Sequence, residues 1–437
     1  MGVLPVKRQD SVYLPRYDAS HKGTDGHMTA IAWTMLAGGA LAGGAALVGL
    51  LALRRAYEPL MLLSGMLSMG VCGAGVARVA GIYSEAGMTI FSVFLAFGCV
   101  AGGYGLASSV LTGLAVDPQT FELLDDPPDQ ERGIAVLLLA CIESEHYDPR
   151  AVARELKDLV SAGLPEATVG VTPFLYAAQK ARYRAVGGRS NSAAQARAVC
   201  ERLESALDKG RFAMVDRVTC AVRDTLAGAV VRLQREGYGR VVVASLSVAE
   251  SFDVDRAKSE VDALRPDLHG MRIAYTSPLW ASDELAEMVA ERVAVLLVDP
   301  ETTGAVLVMH GQSELRERSH ATFDVQENAF SNRVRMMLID RGFPENNVRL
   351  CWAEWRSPDV TESVRHLAAL GCTRIVVSPV CYPLESIATV LDMSVAVRQA
   401  RVSSDTYVTT LPAWGDDPQV TNALTRAIAQ AAEEFAD

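Results

Sequence analysis

Apolar positions follow two regimes along this chain. From Thr29 to Leu53 the sequence "TAIAWTMLAGGALAGGAALVGLLAL" runs 25 residues without a charge. A second apolar run spans Pro59 to Tyr83, interrupted only by Arg78, and an uncharged third spans Gly87 to Val116. Each exceeds the roughly 20 residues needed to cross a bilayer core, so three transmembrane helices are expected. The first run is too long for a cleavable leader, and further membrane segments follow it.

After Arg132 the pattern changes. Short β-branched runs, "IAVLLLA" (134–140), "RVVVASL" (240–246), "MRIAYTS" (271–277), "AVLVMH" (305–310), "RIVVSPV" (374–380) and "TYVTTLP" (406–412), read as strands. Between them Pro149–Ala162, Ala193–Leu207, Glu284–Val295 and Gln326–Arg341 carry helical periodicity. Alternation of this kind predicts an α/β fold with parallel sheets covered by helices.

This part also repeats itself. "EGYGRVVVASLSVAES" (236–251) lines up with "LGCTRIVVSPVCYPLE" (370–385), and Trp280 lines up with Trp414, 134 residues on. "AVLLLACIESE" (135–145) echoes "GAVLVMHGQSE" (304–314), which sets Cys141 opposite His310. Two Rossmann-like halves with a cleft between them follow. The expected organisation is a polar tail (1–27), a membrane region (28–116), an acidic Pro-containing linker (117–131), a first half (132–300) and a second half (301–437). Open α/β sheets bind ligands beyond the carboxyl ends of their strands, where His310 stands. Because its twin is a cysteine, the imidazole is not a folding requirement of the repeat.

Composition narrows the function. A net charge of −11 argues against nucleic-acid binding. The eight cysteines form no CxxC pair, so no zinc knuckle or redox motif is visible. Gly39/Gly43 and Gly98/Gly102 stand at GxxxG spacing, which predicts close helix packing, in this chain or with a membrane-protein partner or second copy. Arg54 and Arg55 follow the first helix and favour a cytoplasmic first loop, hence a cytoplasmic C-terminal domain after three spans; Lys7, Arg8, Arg16 and Lys22 in the tail pull the other way.

From about residue 132 to 436 the sequence resembles the ferrochelatase family of class II tetrapyrrole chelatases. "VMHGQSE" matches the family's strand ending in a metal-site histidine, at His310. "FDVQENAF" supplies a helix glutamine, Gln326; "WRSP" matches a Trp–Pro pair at Trp355 and Pro358; and "IVVSPVCYP" matches a following strand with Tyr382 at its end. "YRAVGGRSNSAAQARAVCERL" matches a first-half tyrosine, Gly-Gly-Ser loop and glutamine helix, from Tyr183 through Ser190 to Gln195. The family's Asp-His-x-Glu-Thr-Leu motif is rewritten as "YPLESIATVLDM", which puts Glu385 at its Asp, Ser386 at its His and Ala388 at its Glu.

The resemblance implies insertion of a divalent metal into a tetrapyrrole, with Fe²⁺ first and Co²⁺ or Ni²⁺ as alternatives, the metal being a substrate rather than a tightly bound cofactor. It implies His310 as base or metal ligand, with Tyr183, Ser190, Gln326, Trp355 and Tyr382 on the macrocycle. A neutral imidazole suits both roles. Glu385 and Asp392, seven apart with Thr389 between, share one helix face and are candidates for the displaced acid and for metal binding beside His310. Two readings stand at this point: a membrane-anchored chelatase, and a non-catalytic relative that binds tetrapyrrole or metal or serves a membrane complex. Loss of the family glutamate favours the second; His310, Gln326 and the Gly-Gly-Ser loop favour the first.

Overall fold

A computed structural model describes residues 21–83, 85–113, 132–161, 168, 170–219, 225–268 and 270–435. Most of the polar tail and all of the linker lie outside the described residues. The chain divides into two units, Met1–Val110 and Leu111–Asp437.

The first unit holds α1 (His21–Ala52), α2 (Glu58–Ile82) and α3 (Ala86–Thr112). Gly26–Ala52, Arg55–Ile82 and Ala86–Leu111 are long and apolar enough to cross a membrane. Small residues let these helices touch backbone to backbone. A Cβ at Gly39 would lie 2.6 Å from Cys72 N, and one at Gly75 only 2.4 Å from Leu36 N, on the α1–α2 seam. Gly44 and Gly103 do the same between α1 and α3, with a Cβ 2.1 Å from Val100 O and 2.0 Å from Leu41 O. Within this chain, Gly39 packs closely, Gly43 and Gly102 make only ordinary contacts, and Gly98 meets nothing within 4 Å. Spacing alone does not say which glycine faces a neighbour. Leu62, Leu63, Met66, Phe94 and Phe97 point outward, exposed, as expected of side chains that meet lipid.

The second unit opens with β1 (Ile134–Ala140), α4 (Pro149–Ser161), α5 (Thr172–Ala185), α6 (Ser192–Ala206), β2 (Phe212–Thr219), α7 (Leu226–Arg235), β3 (Arg240–Ser245), α8 (Phe252–Leu264), β4 (Arg272–Tyr275) and α9 (Asp283–Ala294). It continues with β5 (Thr303–Met309), α10 (Glu314–Ser319), α11 (Ala321–Asp340), β6 (Val348–Trp352), α12 (Val360–Ala369), β7 (Arg374–Ser378), α13 (Met393–Gln399), β8 (Tyr407–Thr410) and α14 (Pro418–Ala431). The strands form two parallel four-stranded sheets of matching order, β2-β1-β3-β4 and β6-β5-β7-β8.

Every residue of β1 and of β5 is buried, as central strands of a sheet covered on both faces require. Edge strands β2 ("FAMVDRVT") and β6 ("VRLCW") escape a hydrophobic-run reading because Asp216 and Arg217 interrupt the one and Arg349 the other. One apolar cluster joins alternate residues of β1 and β5 with α6, α9, α11 and α14, so a central helical layer holds the two sheets together. Within it the halves exchange helices: α9 packs on α11, while the C-terminal α14 returns to α6 and β3. Smaller clusters sit under α7 and α8 on one outer face and under α12 and α13 on the other. Trp414 is buried in the central layer, its indole N–H donating to Val380 O at 3.0 Å, and Trp280 packs partly buried against the same layer. Ser282 caps α9 two residues after Trp280 and Asp417 caps α14 three residues after Trp414, so the helix starts of the two halves differ by one residue in register.

Candidate active site

β5 ends at Met309 and β1 at Ala140, so His310 and Cys141 are the first residues beyond equivalent strand ends. The turn after His310 is steeply constrained. Gly311 has φ 81°, and a Cβ there would stand 2.3 Å from Glu354 O. Only glycine relieves both the left-handed backbone and the contact. The loop beyond β6 is pinned beside it, with Ala353 N–H donating to Met309 O (2.8 Å) and Glu354 N–H to His310 O (3.0 Å). Trp355 follows at φ 65°, strained for a non-glycine residue, and leaves its indole partly exposed.

The imidazole is held from two directions. Its Nδ1 lies 2.7 Å from Glu327 Oε1, on α11. The same carboxylate accepts the backbone N–H groups of His310 (3.2 Å) and Gly311 (3.3 Å). Glu327 is 1% exposed, whereas the His310 side chain is 40% exposed. A buried carboxylate with three N–H donors is well satisfied. It draws the ring proton to Nδ1 and leaves the Nε2 lone pair to face outward. Tyr382, four residues beyond the end of β7, lies over the imidazole with ring centroids 3.7 Å apart and ring planes tilted by 33°. Burial, with Glu327 and Glu354 nearby, raises the Tyr382 pKa well above the ordinary tyrosine value, so the phenol stays neutral.

The opposite wall comes from the first half. Tyr183 donates to Ser144 O at 2.7 Å and packs edge-on against Tyr147. Ser190 donates to Glu143 Oε2 at 2.7 Å. Glu143 in turn accepts the Ile387 N–H at 3.0–3.1 Å, so it ties the loop after β1 to the second half. Burial raises the Glu143 pKa, against lowering by Ser190, the Ile387 N–H and Arg182. Ile387 leads into a π-helical turn, Ala388–Asp392. Such turns are rare and concentrate at functional sites.

The remaining sequence candidates divide between the walls. Asp392 is ion-paired with Arg182, which is also hydrogen-bonded to Gln179. Gln179 continues the chain to Glu155, 2.7 Å away. Desolvation, with Glu143 and Glu354 among its charged neighbours, raises the Glu155 pKa against lowering by Gln179 and Arg182. The Glu385 carboxylate accepts from Asn191 at 3.0 Å, and its backbone N–H from the same stretch donates to Gln195. Gln326 accepts the Glu250 N–H at 2.8 Å, which joins α11 to the loop beyond β3. His310 and Tyr382 are therefore brought into contact, while Asp392, Glu385 and Gln326 each bridge to the first half. Among the described residues, no three His, Cys, Asp or Glu side chains gather to hold a metal ion, and His310 contributes a single nitrogen.

Sequence reasoning missed Glu327, Glu143, Glu155 and Arg182. For Glu327 a signal existed. It heads the buried stripe of α11, Glu327, Phe330, Ser331, Val334 and Leu338, where an acid without a partner would be costly.

The model of the ferrochelatase family matches residues 160–432. No curated protein matches the chain significantly. Among solved structures the chain is similar to SirB from Bacillus subtilis with Fe³⁺, at 15% identity and a TM-score of 0.45, over 70% of this chain and 98% of that one. It is also similar to the sirohydrochlorin chelatase SirB from Bacillus subtilis subspecies spizizenii in complex with cobalt, at 13% identity and a TM-score of 0.43, over 69% and 97%.

Proposed function

The chain belongs to the ferrochelatase family, and from that premise we propose that it inserts a divalent metal ion, Fe²⁺ first among them, into a tetrapyrrole at the cleft bordered by His310. The observation that carries this reading is the His310–Glu327 pair, 2.7 Å apart at the carboxyl end of a central strand. Metal insertion exchanges two pyrrole N–H protons for the cation. The His310 Nε2 lone pair is free to accept one of them, because Glu327 holds the ring proton at Nδ1. The imidazolium so formed lies against the buried Glu327 carboxylate, which stabilises it. Tyr382 backs the ring and prevents it from turning away. The partly exposed Trp355 offers an apolar plate beside the same turn for a macrocycle. Borderline divalent metals, Fe²⁺, Co²⁺ and Ni²⁺, suit the nitrogen donors of the product.

The three apolar helices anchor the enzyme in a membrane, with Arg54 and Arg55 favouring a cytoplasmic catalytic domain. Tetrapyrroles are apolar enough to partition into bilayers, so an anchor keeps enzyme and substrate in one place.

The test is anaerobic incubation of the full chain, in detergent, with coproporphyrin or protoporphyrin and Fe²⁺. Conversion of the free-base spectrum to the metallated one, at a rate proportional to protein, supports the reading. A bound porphyrin spectrum that never converts contradicts it and favours the non-catalytic relative.

A further inference from the structure

Replacing two pyrrole protons by one divalent cation releases two protons, and a single imidazole accepts only one. The first half has no imidazole at the matching place, where Cys141 stands. It does have a carboxylate two residues further along the same strand-end loop. Glu143 reaches across to the second half and accepts the Ile387 N–H through both oxygens, at 3.1 and 3.0 Å. Ile387 lies five residues beyond Tyr382, the ring that lies over His310. The segment that backs the imidazole thus runs directly to the Glu143 carboxylate.

We propose that Glu143 is the second proton acceptor of metal insertion, contributed by the first half and taking the pyrrole proton that His310 does not. This rests on the chelatase reading of the site. A carboxylate offers about four acceptor positions. Ser190 and the shared Ile387 N–H engage at most three, which leaves one on Oε1 for a substrate N–H. The other nearby acids are less suited. Asp392 is paired with Arg182, and Glu385 is held by Asn191 at the exposed rim. The charged groups around Glu143 are Arg182 on α5, Asp392 on the π turn and Glu155 on α4. Burial outweighs Arg182 and raises the proton affinity of Glu143, which strengthens it as a base. In the balanced step the cation binds the four ring nitrogens while His310 Nε2 and Glu143 each gain one proton. Both then release it to solvent.

The test uses the full chain with Glu143→Gln and Glu143→Asp, measured for Fe²⁺ insertion into the porphyrin that the wild type converts, for porphyrin affinity and for the pH profile. Gln keeps an acceptor for Ile387 but is not a base. The expected result is a kcat about 10²–10⁴-fold lower in Glu143→Gln, porphyrin affinity within threefold of wild type, an acid limb shallower by one proton, and substantial recovery in Glu143→Asp. A kcat within threefold of wild type in Glu143→Gln overturns the assignment. So does joint loss of porphyrin affinity and folding with no recovery in Glu143→Asp, which marks a clasp between halves. Turnover lost in His310→Ala but intact in Glu143→Gln removes Glu143 alone. No turnover by the wild type under any metal removes the chelatase reading, and this assignment with it.

Discussion

Replacing Glu327 by glutamine tests how the imidazole is set. The carboxylate accepts three N–H groups: His310 Nδ1 at 2.7 Å, His310 N at 3.2 Å and Gly311 N at 3.3 Å. Glutamine has the same shape but one acceptor oxygen and an NH₂ that only donates. If the oxygen serves the backbone donors, the NH₂ faces Nδ1 and forces the ring proton to Nε2, where the lone pair is needed. If the oxygen serves Nδ1, the imidazolium formed in the reaction has lost its charged partner. Either way one charge-assisted hydrogen bond is forfeited, worth about 1.5–3 kcal/mol. At about 1.4 kcal/mol per decade this predicts a kcat about 10–150-fold lower, with porphyrin affinity little changed because Glu327 is buried away from the cleft. Stopped-flow absorbance of metal insertion measures the rate, and ¹⁵N shifts of His310 report the tautomer directly. Activity within twofold of wild type, or a wild-type ring already protonated at Nε2 alone, would refute the reasoning. Glu327→Ala is a poorer probe, since it leaves buried donors unmet at about 1–3 kcal/mol each and threatens the fold.

Gly311→Ala places a Cβ 2.3 Å from Glu354 O at φ 81°, so thermal unfolding should show a loss of at least about 1–3 kcal/mol together with lost activity; an unchanged melting curve would contradict the geometry. In the membrane unit Gly103→Leu should destabilise the detergent-solubilised chain and Gly98→Leu should not, because only Gly103 touches a neighbouring backbone. Thermal aggregation of the two variants checks this, and equal behaviour would mean that α1 and α3 do not pack as described. The Glu155 pKa is raised, chiefly by desolvation. The folded chain therefore holds that proton more tightly than the unfolded one, which favours folding below the ordinary glutamate range and is lost as pH rises through the raised value. Glu155→Gln should flatten the decline in melting temperature between about pH 4 and about pH 7, and an unchanged slope would show that the carboxyl is not desolvated.

What the sequence discloses depends on how each residue is constrained. Central strands β1 and β5 are buried on both faces and so appear as unbroken apolar runs; β2 and β6 lie at edges, where Asp216, Arg217 and Arg349 are tolerated and hide the pattern. His310 is legible because a strand end, an imidazole and a glycine turn coincide there. Glu327 is one residue from the recognised Gln326, yet its role depends on which face of α11 meets the strand end, a tertiary fact. Glu143 lies opposite Gln312 in the repeat, so the comparison of halves draws attention to Cys141 instead, and its reach to Ile387 spans 244 residues of chain. Which glycines meet backbone in the membrane unit is likewise fixed by helix rotation and not by spacing.

The central claim is that the His310 edge of this cleft performs metal insertion. It is tested most directly by anaerobic initial rates of Fe²⁺ incorporation into coproporphyrin or protoporphyrin by the full chain, wild type against His310→Ala, with porphyrin affinity measured in parallel. The account predicts insertion by the wild type and its loss in a variant that still folds and binds porphyrin. Insertion at an equal rate by both proteins, or by neither, would contradict it.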